Sequence, residues 1–300
     1  MSSELNPTER RLPGLEGFDA WDNDRILTTL LAGQRRALDA VEKAIPSIAQ
    51  AADAVAARLA AGGRLIYAGA GTSIRIAVQD GTELPATFGL NEERISYLIA
   101  GGRAAMFDTL AEAEDDATQG EKDAAICSSR DALIAVAASG RTPYTIAVAS
   151  AAKKAGCLVV AVVNNPSSRL AAASDIELLL DSGPEVITGS TRMGAGTAQK
   201  AALNLLSTLV NTRLGAVHDG LMVNVEAGNR KLVARAANIA SAISHATIDE
   251  ATQALRQSGG EVKPAVLLLM GAPDIAAAQK ILSESGGNLR LALASLKARE

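Results

Sequence analysis

Between Arg64 and Leu180 the chain alternates short, largely apolar runs with longer stretches of helical period. The runs fall at 65–68, 97–100, 133–137, 158–163 and 176–180. Apart from Glu177 they are apolar at successive positions rather than every second one, which predicts strands buried on both faces. With helical segments between them, the sheet is expected to be parallel and doubly wound. Before it, residues 26–59 have helical periodicity, broken near Pro46. After it, a long helix is expected from about 195 to 212, with Ala198, Ala202, Leu205, Leu206 and Leu209 on its apolar stripe. The first 25 residues are polar, carry Pro7 and Pro13, and are expected to form an extended arm.

The tail contains an internal repeat. The segment from Ala251 through Leu255, Ser258-Gly259-Gly260, Val262-Lys263 and Ala265-Val266 recurs as Ala278, Leu282, Ser285-Gly286-Gly287, Leu289-Arg290 and Ala292-Leu293. Each copy predicts a helix, a Gly-Gly stop of the kind that ends helices, and a second helix start. The fold class is therefore α/β, a doubly wound parallel sheet with a small C-terminal helical appendage. The expected boundaries are an arm over 1–25, the α/β domain over 26–235 and the helical repeat over 236–300. The tail carries no carboxylate cluster or nucleophile pattern, so it is expected to be structural or an interface.

Composition narrows the classes of function. Hydrophobic residues make up 48% of 300, but aromatics only 2%, so the core must be built from Ala, Leu, Val and Ile. A net charge of −4 without a basic block argues against nucleic acid or anionic membrane as a partner. Cys127 and Cys157 are far apart and form no metal-type spacing with His218 and His245, so no metal is expected. No apolar run reaches a membrane-spanning length and the N-terminus does not look like a signal peptide, which predicts a cytoplasmic protein.

Two strand-ending loops carry the candidate chemistry. The run at 65–68 breaks into Gly69-Ala70-Gly71-Thr72-Ser73, and that at 133–137 into Ala138-Ser139-Gly140-Arg141-Thr142. Glycine admits close backbone approach, hydroxyls donate hydrogen bonds, and the helix that follows presents unpaired N–H groups and a positive dipole end. Either loop alone suits an ordinary strand-to-helix turn; together, in one parallel sheet, they point to a sugar phosphate. Gly71, Thr72, Ser73, Ser139, Gly140, Arg141 and Thr142 are the substrate-binding candidates, with Arg141 equally able to pair with a neighbouring acid. No dinucleotide fingerprint is completed, because Ile74 stands where the third glycine belongs.

Two carboxyls are candidates for acid–base work. Glu83 follows a helix break at Gly81 and precedes Pro85, which predicts a loop position near the first phosphate loop or a solvated side chain. Read as a helix, Phe107, Leu110, Ala111, Glu114 and Ala117 lie on one stripe. A carboxyl on an apolar stripe is desolvated and has a raised pKa, unless it snorkels to water.

These motifs resemble the N-acetylmuramic acid 6-phosphate etherases, SIS-domain proteins related to the glucokinase regulatory protein. The resemblance rests on the two loops, on the block Gly183-Pro184-Glu185-Val186-Ile187-Thr188-Gly189-Ser190-Thr191-Arg192-Met193, and on Gln199-Lys200, Leu221-Met222-Val223 and Asn229. It covers nearly the whole chain. It implies a carbon–oxygen lyase of amino-sugar catabolism and peptidoglycan recycling. Such an enzyme removes the D-lactyl ether at carbon 3 of a 6-phosphorylated amino sugar, giving N-acetylglucosamine 6-phosphate and D-lactate. It further implies elimination and hydration by two carboxyls, here Glu83 and Glu114, without cofactor, and a homodimer. The sequence departs from the family's pattern at Ile74, Thr82, Gly194 and near His218. Ile74 is expected to crowd the sugar, and Gly194, in place of a lysine, to weaken anion binding. A non-catalytic sugar-phosphate sensor and an aldose–ketose isomerase are the competing functions.

Overall fold

Helix breaks, strand runs and caps divide the chain into elements much as its patterning requires. The computed structural model describes residues 6–108, 110–225 and 230–298. Helix α1 (Asn23–Lys43) starts where Asp22 accepts the Arg25 N–H at 2.9 Å. It stops just before α2 (Ile45–Ala60), where Pro46 occupies the first turn and has no N–H to satisfy. Then follow β1 (Leu65–Gly69), α3 (Gly71–Phe88), β2 (Ile95–Ile99), α4 (Ala117–Asp123), β3 (Ala132–Ala137), α5 (Pro143–Lys154), β4 (Leu158–Val163), α6 (Arg169–Ala172), β5 (Ile176–Leu179) and α7 (Gly194–Arg213).

The five strands form one parallel sheet in the order β2-β1-β3-β4-β5. Residues 66–68 and 133–136 are buried throughout, as their all-apolar runs require. Tyr144, Val148, Ala149 and Ala152 of α5 pack into one core with Ile66, Leu133, Ala135, Val159 and Ala161. Helix α2 packs against β3, β4 and β5. Removing one such leucine side chain costs about 2–5 kcal/mol, so this sheet is a rigid platform. Gly69 is paired with both Ile99 and Val136, which brings the carboxyl ends of β1, β2 and β3 level. Between β1 and β3 the strand order reverses, and in open α/β sheets that crevice is where ligands bind. At the opposite edge, burial pushes the Asp131 carboxyl up. Hydrogen bonds from Arg64 and Ser128 outweigh that and hold it at about 2.

Two expectations are corrected. Residues 6–22 are not an extended arm: 3-10 turns form at Pro7–Glu9 and Phe18–Ala20, and Thr8 is buried against the Asn165 side chain. Gly81 breaks no helix; it lies within α3, where a Cβ would meet the Tyr97 hydroxyl at 2.6 Å. Along the α7 stripe Ala198, Ala202 and Leu206 are buried, Leu209 is half-buried and Leu205 is 48% exposed.

The chain divides into two compact units. The first takes the residues to Thr82 together with Glu93–Ser207; the second takes Glu83–Glu92 with the residues from Thr208 onward. The second unit holds a hairpin of β6 (Val217–His218) and β7 (Leu221–Met222), then α8 (Arg230–Ser244), α9 (Ile248–Gln257), α10 (Val262–Leu269), α11 (Ile275–Glu284) and α12 (Leu289–Lys297). The repeat is visible in its caps. Thr247 and Asp274 start α9 and α11, and the Gly260 and Gly287 N–H groups close the helix ends on Leu255 and Leu282 carbonyls, both at 2.8 Å. Lys263 links the two copies, its ammonium donating to the Gly287 carbonyl at 2.6 Å; burial lowers its pKa to about 8. No helix among the described residues is long and apolar enough to cross a membrane.

Candidate active site

A cavity of about 540 Å³ opens beyond the carboxyl ends of β1 and β3, at the switch point of the sheet. Gly71, Thr72 and Ser73 enter it from the first turn of α3, and Ser139 and Thr142 from the turn before α5. The first N–H groups of both helices have no carbonyl a turn earlier to bind, so they and the helix dipoles favour an anion there. Among the described residues the hydroxyls of Thr72, Ser73 and Thr142 make no hydrogen bond. The Ser139 oxygen accepts the Arg141 N–H at 3.1 Å, which leaves its own proton to donate.

Glu114 also lines the cavity, although not on the helix its spacing predicts. The segment before it folds as 3-10 turns, Arg103–Met106 and Ala111–Asp115, and Phe107 of the supposed apolar stripe is 93% exposed. Glu114 is half-buried, and its carboxyl lies against Gly71 so closely that a Cβ there would stand 2.8 Å from Oε1. It accepts no hydrogen bond among the described residues. Burial, helped by the charge of Asp115 beside it, raises its pKa. An uncommitted carboxyl of raised pKa facing donor-rich loops is suited to proton transfer.

Three sequence candidates are not among the residues that line this cavity. Glu83 is in α3 rather than in a loop, exposed, and not among the lining residues. Arg141 is exposed and outside the lining. Gly140 is buried, and its N–H donates to the Ala137 carbonyl at 3.0 Å, so it cannot also serve a ligand. Two concerns about substrate fit are also corrected. Ile74 is 1% exposed and outside the cavity lining. Gly194 lies outside the lining too; its N–H and that of Ala195 cap α7 on the buried Glu185 carboxylate, both at 2.9 Å. Asn229 lies outside the described residues.

The lining includes residues that pattern reading missed: Glu9 from the first 3-10 turn, Arg75 from α3, Asp108, and Thr191. Glu9 carried no sequence signal, because the Thr8–Asn165 contact that places it joins distant parts of the chain. Arg75 was detectable, being one turn along the same helix from Gly71 and Thr72.

A sheet of this order with a donor-rich switch-point crevice defines a sugar-phosphate domain of the SIS type. The glucokinase regulatory protein N-terminal SIS domain model matches residues 47–153. N-acetylmuramic acid 6-phosphate etherase of Serratia proteamaculans is 43% identical over 95% of this chain and 97% of its own length. The etherase of Symbiobacterium thermophilum is 48% identical over 89% and 90%. A solved phosphoheptose isomerase from Francisella tularensis shares 20% identity, covering 63% of this chain and 97% of that one, with a TM-score of 0.48. The chain belongs to the N-acetylmuramic acid 6-phosphate etherase family.

Proposed function

We propose that the protein is a carbon–oxygen lyase that cleaves the D-lactyl ether of N-acetylmuramic acid 6-phosphate to N-acetylglucosamine 6-phosphate and D-lactate. The observation that carries this reading is Glu114, an uncommitted carboxyl of raised pKa set against Gly71 in a cavity rich in donors. In the proposed reaction, Thr72, Ser73, Ser139 and Thr142 hold the phosphate. Ring opening exposes an aldehyde that acidifies the carbon 2 proton. A carboxyl removes that proton, lactate leaves with its oxygen protonated, and water adds to the unsaturated intermediate. Neither a metal nor a redox cofactor is required.

Glu83 receives its role from family membership, and a homodimer supplies a route to it. Apolar surface for a second copy is present on α1, where Leu27, Leu31 and Leu38 are 63%, 50% and 49% exposed at helical spacing. The reading includes a cytoplasmic place in amino-sugar catabolism and cell-wall recycling. The test is to run the reaction in deuterated water while assaying D-lactate. Elimination requires deuterium at carbon 2 of the product; lactate released without that label would favour direct displacement. A ketose formed without lactate would identify an isomerase, and binding without turnover a sensor. Mixing Glu83→Gln and Glu114→Gln proteins tests the dimer, since shared sites would regain activity on mixing.

A further inference from the structure

The charges around the cavity do not match the proposed substrate unless one residue is given a specific task. Four carboxylates line it, those of Glu9, Asp108, Glu114 and Asp115, and among the described lining residues Arg75 is the only cation. The substrate of the reading above, on which this inference rests, carries a phosphate at one end and a lactyl carboxylate at carbon 3. Hydroxyls and helix N-termini can serve the phosphate, but the one cation of those loops, Arg141, is outside the lining and leaves the second anion without a charge partner there.

Arg75 is prepared to do so. Its Nε and Nη2 donate to the Ala105 carbonyl at 3.3 and 2.9 Å, and Nη2 donates also to the Asp108 carbonyl at 3.1 Å. These bonds go to backbone oxygens, and among the described residues Arg75 forms no ion pair with any of the four carboxylates. The guanidinium is thus fixed in place without an ion pair, and its two Nη1 protons are unassigned. The carbonyls that fix it belong to the segment leading to Glu114, the candidate acid–base carboxyl, rather than to the Ser139 loop. We infer that Arg75 receives the lactyl carboxylate and selects a lactyl ether over an uncharged substituent at the same carbon. The remaining Nη1 protons can donate to a carboxylate oxygen, and an ammonium could not make the same planar set of bonds to the 105–108 backbone and the ligand together.

The test compares two ligands by calorimetry in a Glu114→Gln background, which slows turnover enough for binding to be read. Adding Arg75→Gln should weaken binding of N-acetylmuramic acid 6-phosphate about 10–100-fold, as expected for lost hydrogen bonds to a charged group. Binding of N-acetylglucosamine 6-phosphate, which lacks the lactyl group, should change less than about twofold, and Arg75→Lys should recover part of the loss. Equal weakening of both ligands would overturn the inference, by showing that Arg75 touches the phosphate or merely staples the 105–108 backbone. No weakening of either would overturn it as well. Lactate release by the parent protein, measured alongside, separates the two ideas. A parent that releases lactate while Arg75→Gln fails to discriminate sinks this inference alone. A parent that releases none brings down the activity and this inference with it.

Discussion

The two strand-ending loops look alike in sequence and sit on adjacent strands, yet they use their glycines for opposite purposes. In the β1 loop Gly71, at a φ of 52°, leaves out a Cβ so that the Glu114 carboxyl can come close. In the β3 loop Gly140, at a φ of 61°, leaves one out so that Ser168, which caps α6, can pack beneath the turn. The first glycine shapes the cavity; the second shapes the scaffold. Accordingly Gly71, Thr72 and Ser73 all line the cavity, whereas from Ala138 to Thr142 the lining omits Gly140 and Arg141. A glycine-hydroxyl motif therefore states that backbone and side chains come close to something, and only the tertiary neighbour says to what.

The largest effect that tests this contrast should come from the group Gly71 makes room for. Glu114→Gln is expected to reduce lactate release by about 10²–10⁴-fold, because the amide keeps the shape but transfers no proton. Thermal unfolding should separate that loss from misfolding. Since the Glu114 pKa is raised, the folded chain holds this proton more tightly than the unfolded chain does. Its stability contribution therefore declines as pH rises from the ordinary 4.5 through the raised value. Glu114→Gln should flatten that part of the melting profile; an unchanged profile would mean the carboxyl is not desolvated.

Next in size is the pair of glycine substitutions. At Gly140 an added Cβ would stand 2.3 Å from the Ser168 Cβ and 2.5 Å from its Oγ, in a left-handed backbone. Gly140→Ala should therefore cost about 2–4 kcal/mol in denaturant unfolding. At Gly71 the clash is with the end of a flexible carboxyl, so Gly71→Ala should cost about 1–2 kcal/mol of stability from the backbone alone. Its main effect should be on turnover, by displacing Glu114. If the two alanines damage stability equally, the assignment of one glycine to the cavity and the other to the scaffold is wrong.

The smaller effects divide the β3 loop itself. Ser139→Ala should weaken sugar-phosphate binding by about 1.5–3 kcal/mol, the range for a hydrogen bond to a charged group. Arg141→Ala, at an exposed position outside the lining, should alter binding and stability by no more than about 0.5 kcal/mol. Calorimetric titration of both variants with N-acetylglucosamine 6-phosphate would reverse the argument if Arg141 proved the more important.

What the sequence determined by itself was everything that short-range pattern encodes. All five strands form within two residues of their apolar runs. The central β1, β3 and β4, buried on both faces, admit no polar position and so announce themselves locally, while the edge strands β2 and β5 tolerate Ser96 and Glu177. The repeat was equally legible, since each Gly-Gly stop closes a helix on a carbonyl only a few residues earlier. The hydroxyls of both loops belong to the same local class. The tertiary structure alone decided the rest. It put Glu114 in the cavity on 3-10 turns rather than on a helical stripe, kept Glu83 in an exposed turn of α3, and committed the Gly140 N–H to Ala137. It also brought Glu9 to the site through Thr8 and Asn165. The physical reason is the same in each case. A carboxyl's desolvation, or a donor's availability, depends on which distant group comes within a few ångströms of it, and no periodicity along the chain records that distance.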